Sequence, residues 1–222
     1  MYWFLFIAIA IVSYVVQLNL RRKFEKYSEI PLGSGMTGAE VAERMLRQNG
    51  INDVSVTAVR GQLTDHFNPL NKTVNLSDGV YNSNSVAAAA VAAHECGHAL
   101  QHARGYLPLK LRSALVPVVS FASKIMSWVL LLGMFLINVF PQVLMAGIAL
   151  FALTTLFSFV TLPVEINASK RALVWLNTTG ITDVSNHEQA EKALRAAAYT
   201  YVVAALASLA TLVYYIMISN RR

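Results

Sequence analysis

Val86-Ala87-Ala88-Ala89-Ala90-Val91-Ala92-Ala93-His94-Glu95-Cys96-Gly97-His98 is the stretch on which the reading of this chain turns. Its first eight residues are small, apolar and helix-favouring. Ser83, Asn84 or Ser85 can cap the start, and Gly105 can end the helix after Arg104. The helix carries the spacing H-E-x-x-H. Residues four apart share a helix face with a rise of roughly 6 Å, so the imidazoles of His94 and His98 can converge on one ion. Glu95 projects to the side, where a carboxylate can take the proton of a metal-activated water. Such polar groups are costly in a buried helix unless they have partners. The pattern points to a zinc hydrolase.

The sequence around this helix moves the site to a membrane. The chain has 222 residues, 55% hydrophobic and only 14% charged, with a mean hydropathy of +0.48. Met1 to Leu20 carry no charge, and forty uncharged residues separate Lys124 from Glu165, broken by the turn-like Asn138-Val139-Phe140-Pro141-Gln142. A spanning helix needs roughly 20 apolar residues. The expected spans are therefore 1–20, a segment from near Ala122 with Lys124 snorkelling, about 143–162, and about 198–218. The expected fold is a mainly α membrane protein with about four transmembrane helices and a small α+β cytoplasmic zincin-like insert. Its parts are a transmembrane anchor (1–20), a metallopeptidase portion (21–114), a helical hairpin (115–162), a cytoplasmic segment with the third ligand (163–196) and a last helix with the C-terminus (197–222).

Basic residues set the expected orientation. Arg21, Arg22, Lys23, Lys26, Arg44, Arg47, Arg60, Lys72, Arg104, Lys110 and Arg112 lie between the first two spans, and Lys170, Arg171, Lys192 and Arg195 lie between the last two. Both segments are expected in the cytoplasm, against a weak contrary signal from Arg221 and Arg222. The first span reads as an uncleaved reverse anchor, because its positive charges follow it. The net charge of +6 is accounted for by these inner-face residues, so anionic lipid is an expected neighbour and nucleic acid is not. The single cysteine, Cys96, excludes an internal disulfide. At an x position of the motif, it reads as a small core residue.

A zinc hydrolase needs a third protein ligand. His102 is eight residues after His94, which on a straight helix is roughly 12 Å along and about 80° around, too far to share the ion. The position where a metzincin places its third histidine is Arg104. His66 sits in turn-like sequence. Glu165 is the first charge after a membrane span, in otherwise apolar sequence where an isolated carboxylate calls for a cation, and it is the favoured ligand. Thr37-Gly38-Ala39-Glu40 opens an amphipathic helix to about Gln48, ended by Gly50. Val54 to Val59 and Thr73 to Ser77 alternate as strands. Val74, Asn75 and Leu76 are the expected substrate-binding edge, where an extended peptide would add as a strand. An oxyanion donor is sought among His187, Arg195, Tyr199 and Tyr201.

Taken together, His94-Glu95-x-x-His98, Leu162-Pro163-Val164-Glu165-x-x-Ala168-Ser169-x-Arg171-Ala172, Thr73-Val74-Asn75-Leu76-Ser77, Thr64-Asp65-His66-Phe67-Asn68-Pro69 and Asp78-Gly79-Val80-Tyr81-Asn82 resemble the YugP-type membrane zinc metallopeptidases (neutral zinc metallopeptidase family 2). The resemblance covers nearly the whole chain. It implies gluzincin chemistry, with His94, His98 and Glu165 on zinc and Glu95 as general base. The chain is also similar to HtpX-type membrane proteases, whose second motif ends in Asp where this chain has Ser169, which leaves the support of the histidines unassigned. The expected activity is zinc-dependent endopeptidase cleavage of membrane-proximal or unfolded polypeptide. A membrane scaffold or chaperone-like partner with a structural zinc site is the alternative, and Glu95 discriminates, since a structural site needs no base. A transporter is disfavoured because the spans carry no paired charges.

Overall fold

The computed structural model describes residues 2–220, so Met1 and the basic pair Arg221 and Arg222 lie outside the described residues. In chain order the elements are α1 (Tyr2–Ser28), α2 (Gly38–Gln48), β1 (Ser55–Val59), β2 (His66–Asn68), β3 (Thr73–Ser77), α3 (Asp78–Tyr81), α4 (Val86–Ala103), α5 (Leu107–Phe135), α6 (Pro141–Thr178) and α7 (His187–Ser219). The architecture is mainly helical with one small mixed sheet. Among the described residues four helices, α1, α5, α6 and α7, are long and apolar enough to cross a membrane. Their apolar flanks are left uncovered by the rest of the chain, as Ile7 and Ile11 on α1 and Phe121, Trp128 and Phe135 on α5 illustrate.

The helices outrun the hydropathy limits. α1 continues past Leu20 through the basic cluster to Ser28. α5 begins at Leu107 rather than near Ala122, because Pro108 falls in the first turn, where its missing N–H costs nothing. α6 passes through Pro163 and runs to Thr178, so Glu165 stands on a helix. α5 and α6 form the expected hairpin, turned between Phe135 and Pro141. A Cβ on Gly133 would stand 2.6 Å from the Leu144 backbone, and one on Gly147 would stand 2.8 Å from the Leu130 side chain. Small residues are what let the two helices approach this closely.

The insert follows the local signals. Thr37 Oγ1 accepts from the Glu40 N–H and the Glu40 carboxylate accepts from the Thr37 N–H at 2.7 Å, closing the capping box of α2. The Thr37 N–H first, and then the Thr37 hydroxyl donating to Glu40 Oε2 at 3.0 Å, hold the Glu40 carboxyl below its ordinary pKa. Ser85, one of the three cap candidates, accepts from the Ala88 N–H and starts α4. The sheet has the order β1-β3-β2, with β1 parallel and β2 antiparallel to β3. α4 is the hub of the core. Its alanines pack among Val41, Met45 and Leu46 of α2, Val74 and Leu76 of β3, Val80 of α3, Ala172 and Leu176 of α6, and Leu194 of α7. A helix walled in on every side holds its polar side chains at a fixed place, which is what a site built on it requires.

Candidate metal centre

His94 and His98, one turn apart on α4, present rings whose centroids are 4.8 Å apart and nearly perpendicular. α6 brings Glu165 to them. Its Oε2 lies 3.3 Å from His94 Nε2 and 3.5 Å from His98 Nε2. Tetrahedral zinc with bonds of about 2.0–2.1 Å sets its ligand atoms about 3.3–3.4 Å apart, so these separations fit such an ion. The three residues form a group that can hold a metal. The approach of α6 is possible because position 97 is glycine: a Cβ there would stand 2.6 Å from the Ala168 carbonyl oxygen.

Both imidazoles are fixed through their other nitrogen. Ser169 Oγ lies 3.0 Å from His94 Nδ1, and Gln101 Oε1 lies 3.1 Å from His98 Nδ1. Gln101 is fully buried and is itself anchored, its Nε2 donating to Val164 O at 2.8 Å and Asn167 Oδ1 at 3.0 Å. Ser169 thus occupies the supporting role that the missing Asp left open. These contacts leave Nε2 of each histidine for a metal. Burial opposes protonation of His98, but the Glu165 hydrogen bond and the nearby Glu95 and Glu165 charges outweigh it and hold its pKa above the ordinary value.

The cationic partner of Glu165 is Arg112 on α5, whose Nη1 is 3.2 Å from Glu165 Oε1. With one oxygen toward the histidines and the other toward Arg112, the carboxylate is set to bind a metal through a single oxygen. Arg112 had no sequence signal of its own beyond its charge. Glu95 points into the same region, its Oε2 accepting from the Phe67 N–H at 3.1 Å. A cavity of about 180 Å³ joins His94, Glu95, Glu165 and Ser169 to an otherwise mostly apolar lining from α1 and α7, with Tyr201 at its wall.

The remaining candidates lie elsewhere. His102 is exposed and packs its ring 5.7 Å from that of Phe67, and His66 is held by Thr64 O and Asn75. His187 bonds to Thr182 and Arg195 pairs with Glu191, and of the four oxyanion candidates Tyr201 alone lines the cavity beside the triad. Cys96 is a core residue, its thiol donating to Ala42 O, and burial, then the Glu95 charge, push its pKa well up. The expected open edge at Val74, Asn75 and Leu76 needs correction. β3 is the central strand, paired with β1 along 73–77 and with β2 along 73–75, and Val74 and Leu76 are fully buried. The strand that borders the site is β2, read from sequence as a turn.

Residues 2–220 match the family described as "Putative neutral zinc metallopeptidase". The chain is 44% identical over 217 residues to the "Putative membrane protease YugP" of Bacillus subtilis (strain 168), covering 97% of this chain and 96% of that protein. No solved structure matches significantly. The chain belongs to this neutral zinc metallopeptidase family.

Proposed function

We propose that this member of the family is a membrane-bound zinc endopeptidase of the gluzincin type, with its active site at the cytoplasmic membrane surface. The observation that carries the reading is the convergence of His94, His98 and Glu165 beside a carboxylate, Glu95, that is not part of the triad. A structural zinc site has no use for such a base. Zinc held by the triad would supply Lewis-acid chemistry, polarising the scissile carbonyl and making water a nucleophile at neutral pH. Glu95 takes the proton of that water and passes it to the leaving amine, and the Phe67 N–H orients its carboxylate for the task. Tyr201 is the donor for the charge that develops on the carbonyl oxygen.

The Phe67 N–H points out of the sheet toward Glu95, so the outer edge of β2 is where an extended substrate would lie, in place of β3. Glu165 follows the expected limit of the α6 apolar stretch by less than one turn, which favours extended, membrane-proximal or unfolded segments over folded soluble proteins. The orientation rests on the basic residues between the spans.

The test pairs metal analysis with cleavage of an unfolded protein such as casein by the full chain in detergent. Glu95→Gln is expected to keep about one zinc per chain and to lose activity by about 10²–10⁴-fold. Full activity of this variant would remove the hydrolase mechanism, and a wild type that binds zinc yet cleaves nothing would favour the scaffold reading.

A further inference from the structure

A second cleft, of about 370 Å³, is lined by Arg104, which follows α4, by Asn167, Lys170, Arg171 and Trp175 of α6, and by Asn49, and it shares no residue with the cavity at the metal centre. Its lining holds three cations and no carboxylate. The ion pairs of the described residues involve Lys72, Arg112, Lys192, Arg195 and the two site histidines, and none of these three. Gathering like charges without a counter-charge is unfavourable unless something negative joins them. The two guanidinium groups are also held in place. Arg171 Nε donates to Asn167 Oδ1 at 2.7 Å and its Cζ lies 6.0 Å from the Tyr106 ring centroid, while Arg104 Nη2 donates to Asn49 Oδ1 at 3.3 Å. Each keeps other N–H groups for a ligand, and planar guanidinium suits two oxygens of one phosphate.

We propose that this cleft binds a phosphate-bearing anion, the headgroup of an acidic phospholipid. The headgroup is the favoured source because Lys170 and Arg171 lie on the membrane-length helix α6, beyond the 143–162 apolar stretch. Basic side chains just inside a membrane attract acidic lipids. Trp175, buried with its indole N–H donating to Gln48 Oε1 at 2.9 Å, is a fixed wall of the cleft. An exposed Lys170 without a partner adds charge that no internal contact requires.

The full chain, purified in a neutral detergent, is titrated with phosphatidylglycerol or phosphatidylcholine and bound lipid is counted by native mass spectrometry. Phosphatidylglycerol is expected to bind preferentially. Lys170→Gln, which disturbs no contact in the fold, should weaken it about fivefold, and the triple Arg104→Gln, Lys170→Gln, Arg171→Gln variant should weaken it more. Arg60→Gln, an equal loss of charge outside the cleft, should leave it unchanged. Equal retention by the Lys170→Gln and triple variants, or an equal loss in Arg60→Gln, overturns the site. Inorganic phosphate that binds the wild type as tightly as phosphatidylglycerol, with the same losses in the variants, overturns the lipid as its source.

Discussion

Ser169 and Gln101 decide what His94 and His98 can do, because each occupies the Nδ1 side of one ring and turns Nε2 toward Glu165. Such outer contacts fix tautomer and orientation, and their loss typically costs about 10–100-fold in metal affinity. Ser169→Ala and Gln101→Leu should each lower zinc affinity within that range, measured by competition with a chromophoric chelator. Affinities equal to wild type would mean that helix packing alone orients the rings. Local chemistry explains which of these residues could be read in advance. His94, Glu95 and His98 sit within one turn of a single helix, and Glu165 stands out as a lone charge in apolar sequence. Gln101 and Arg112 carry no local mark, since their roles depend on α6 returning beside α4 and α5, with Gln101 and Val164 63 residues apart.

The contact of α4 with α6 is the element on which the centre depends, and it hinges on the absence of a side chain at Gly97. Gly97→Ala would force a methyl against the Ala168 carbonyl, an overpacking that costs about 1–3 kcal/mol. It should separate the histidines from Glu165, so that thermal stability and zinc affinity fall together. A stable variant that loads zinc normally would show that the helices can yield. The edge of β2 gives a second element-scale outcome. Phe67→Pro removes the N–H that faces Glu95 but no hydrogen bond of the sheet, since that N–H points away from β3. Turnover should fall while zinc is retained, whereas Phe67→Ala, which keeps the N–H, should retain more turnover; equal turnover of the two would remove the edge from the mechanism. α2, β1 and β3 were legible from a capping box and from alternation. β2 has three residues, too few to show a period. α5 and α6 extend beyond the expected spans because hydropathy marks where a membrane can end, while a helix can continue through charged residues and past Pro163.

At the scale of the molecule, four membrane-length helices that each cross once would put the α2–α4 insert and the α6–α7 connection on one side and the α5–α6 turn on the other. The long core-forming α4, between the first two of these helices, would lie on the first of those sides. Which side it occupies depends on lysine and arginine, and fifteen of the eighteen fall on the two segments that share a side. The prediction is that this side is the cytoplasm. Leu70, exposed in the insert, and Val139, exposed at the hairpin turn, are replaced singly by cysteine. Cys96 is changed to alanine as a precaution, although its burial and raised pKa already make it a poor nucleophile. In intact cells an impermeant thiol reagent should label the Val139→Cys protein and spare the Leu70→Cys protein until the membrane is opened. Labelling of the Leu70→Cys protein from outside would reverse the orientation, and it would put the metal centre, the β2 edge and the basic cleft on the outer face together, since all three are built on the same side of the helices.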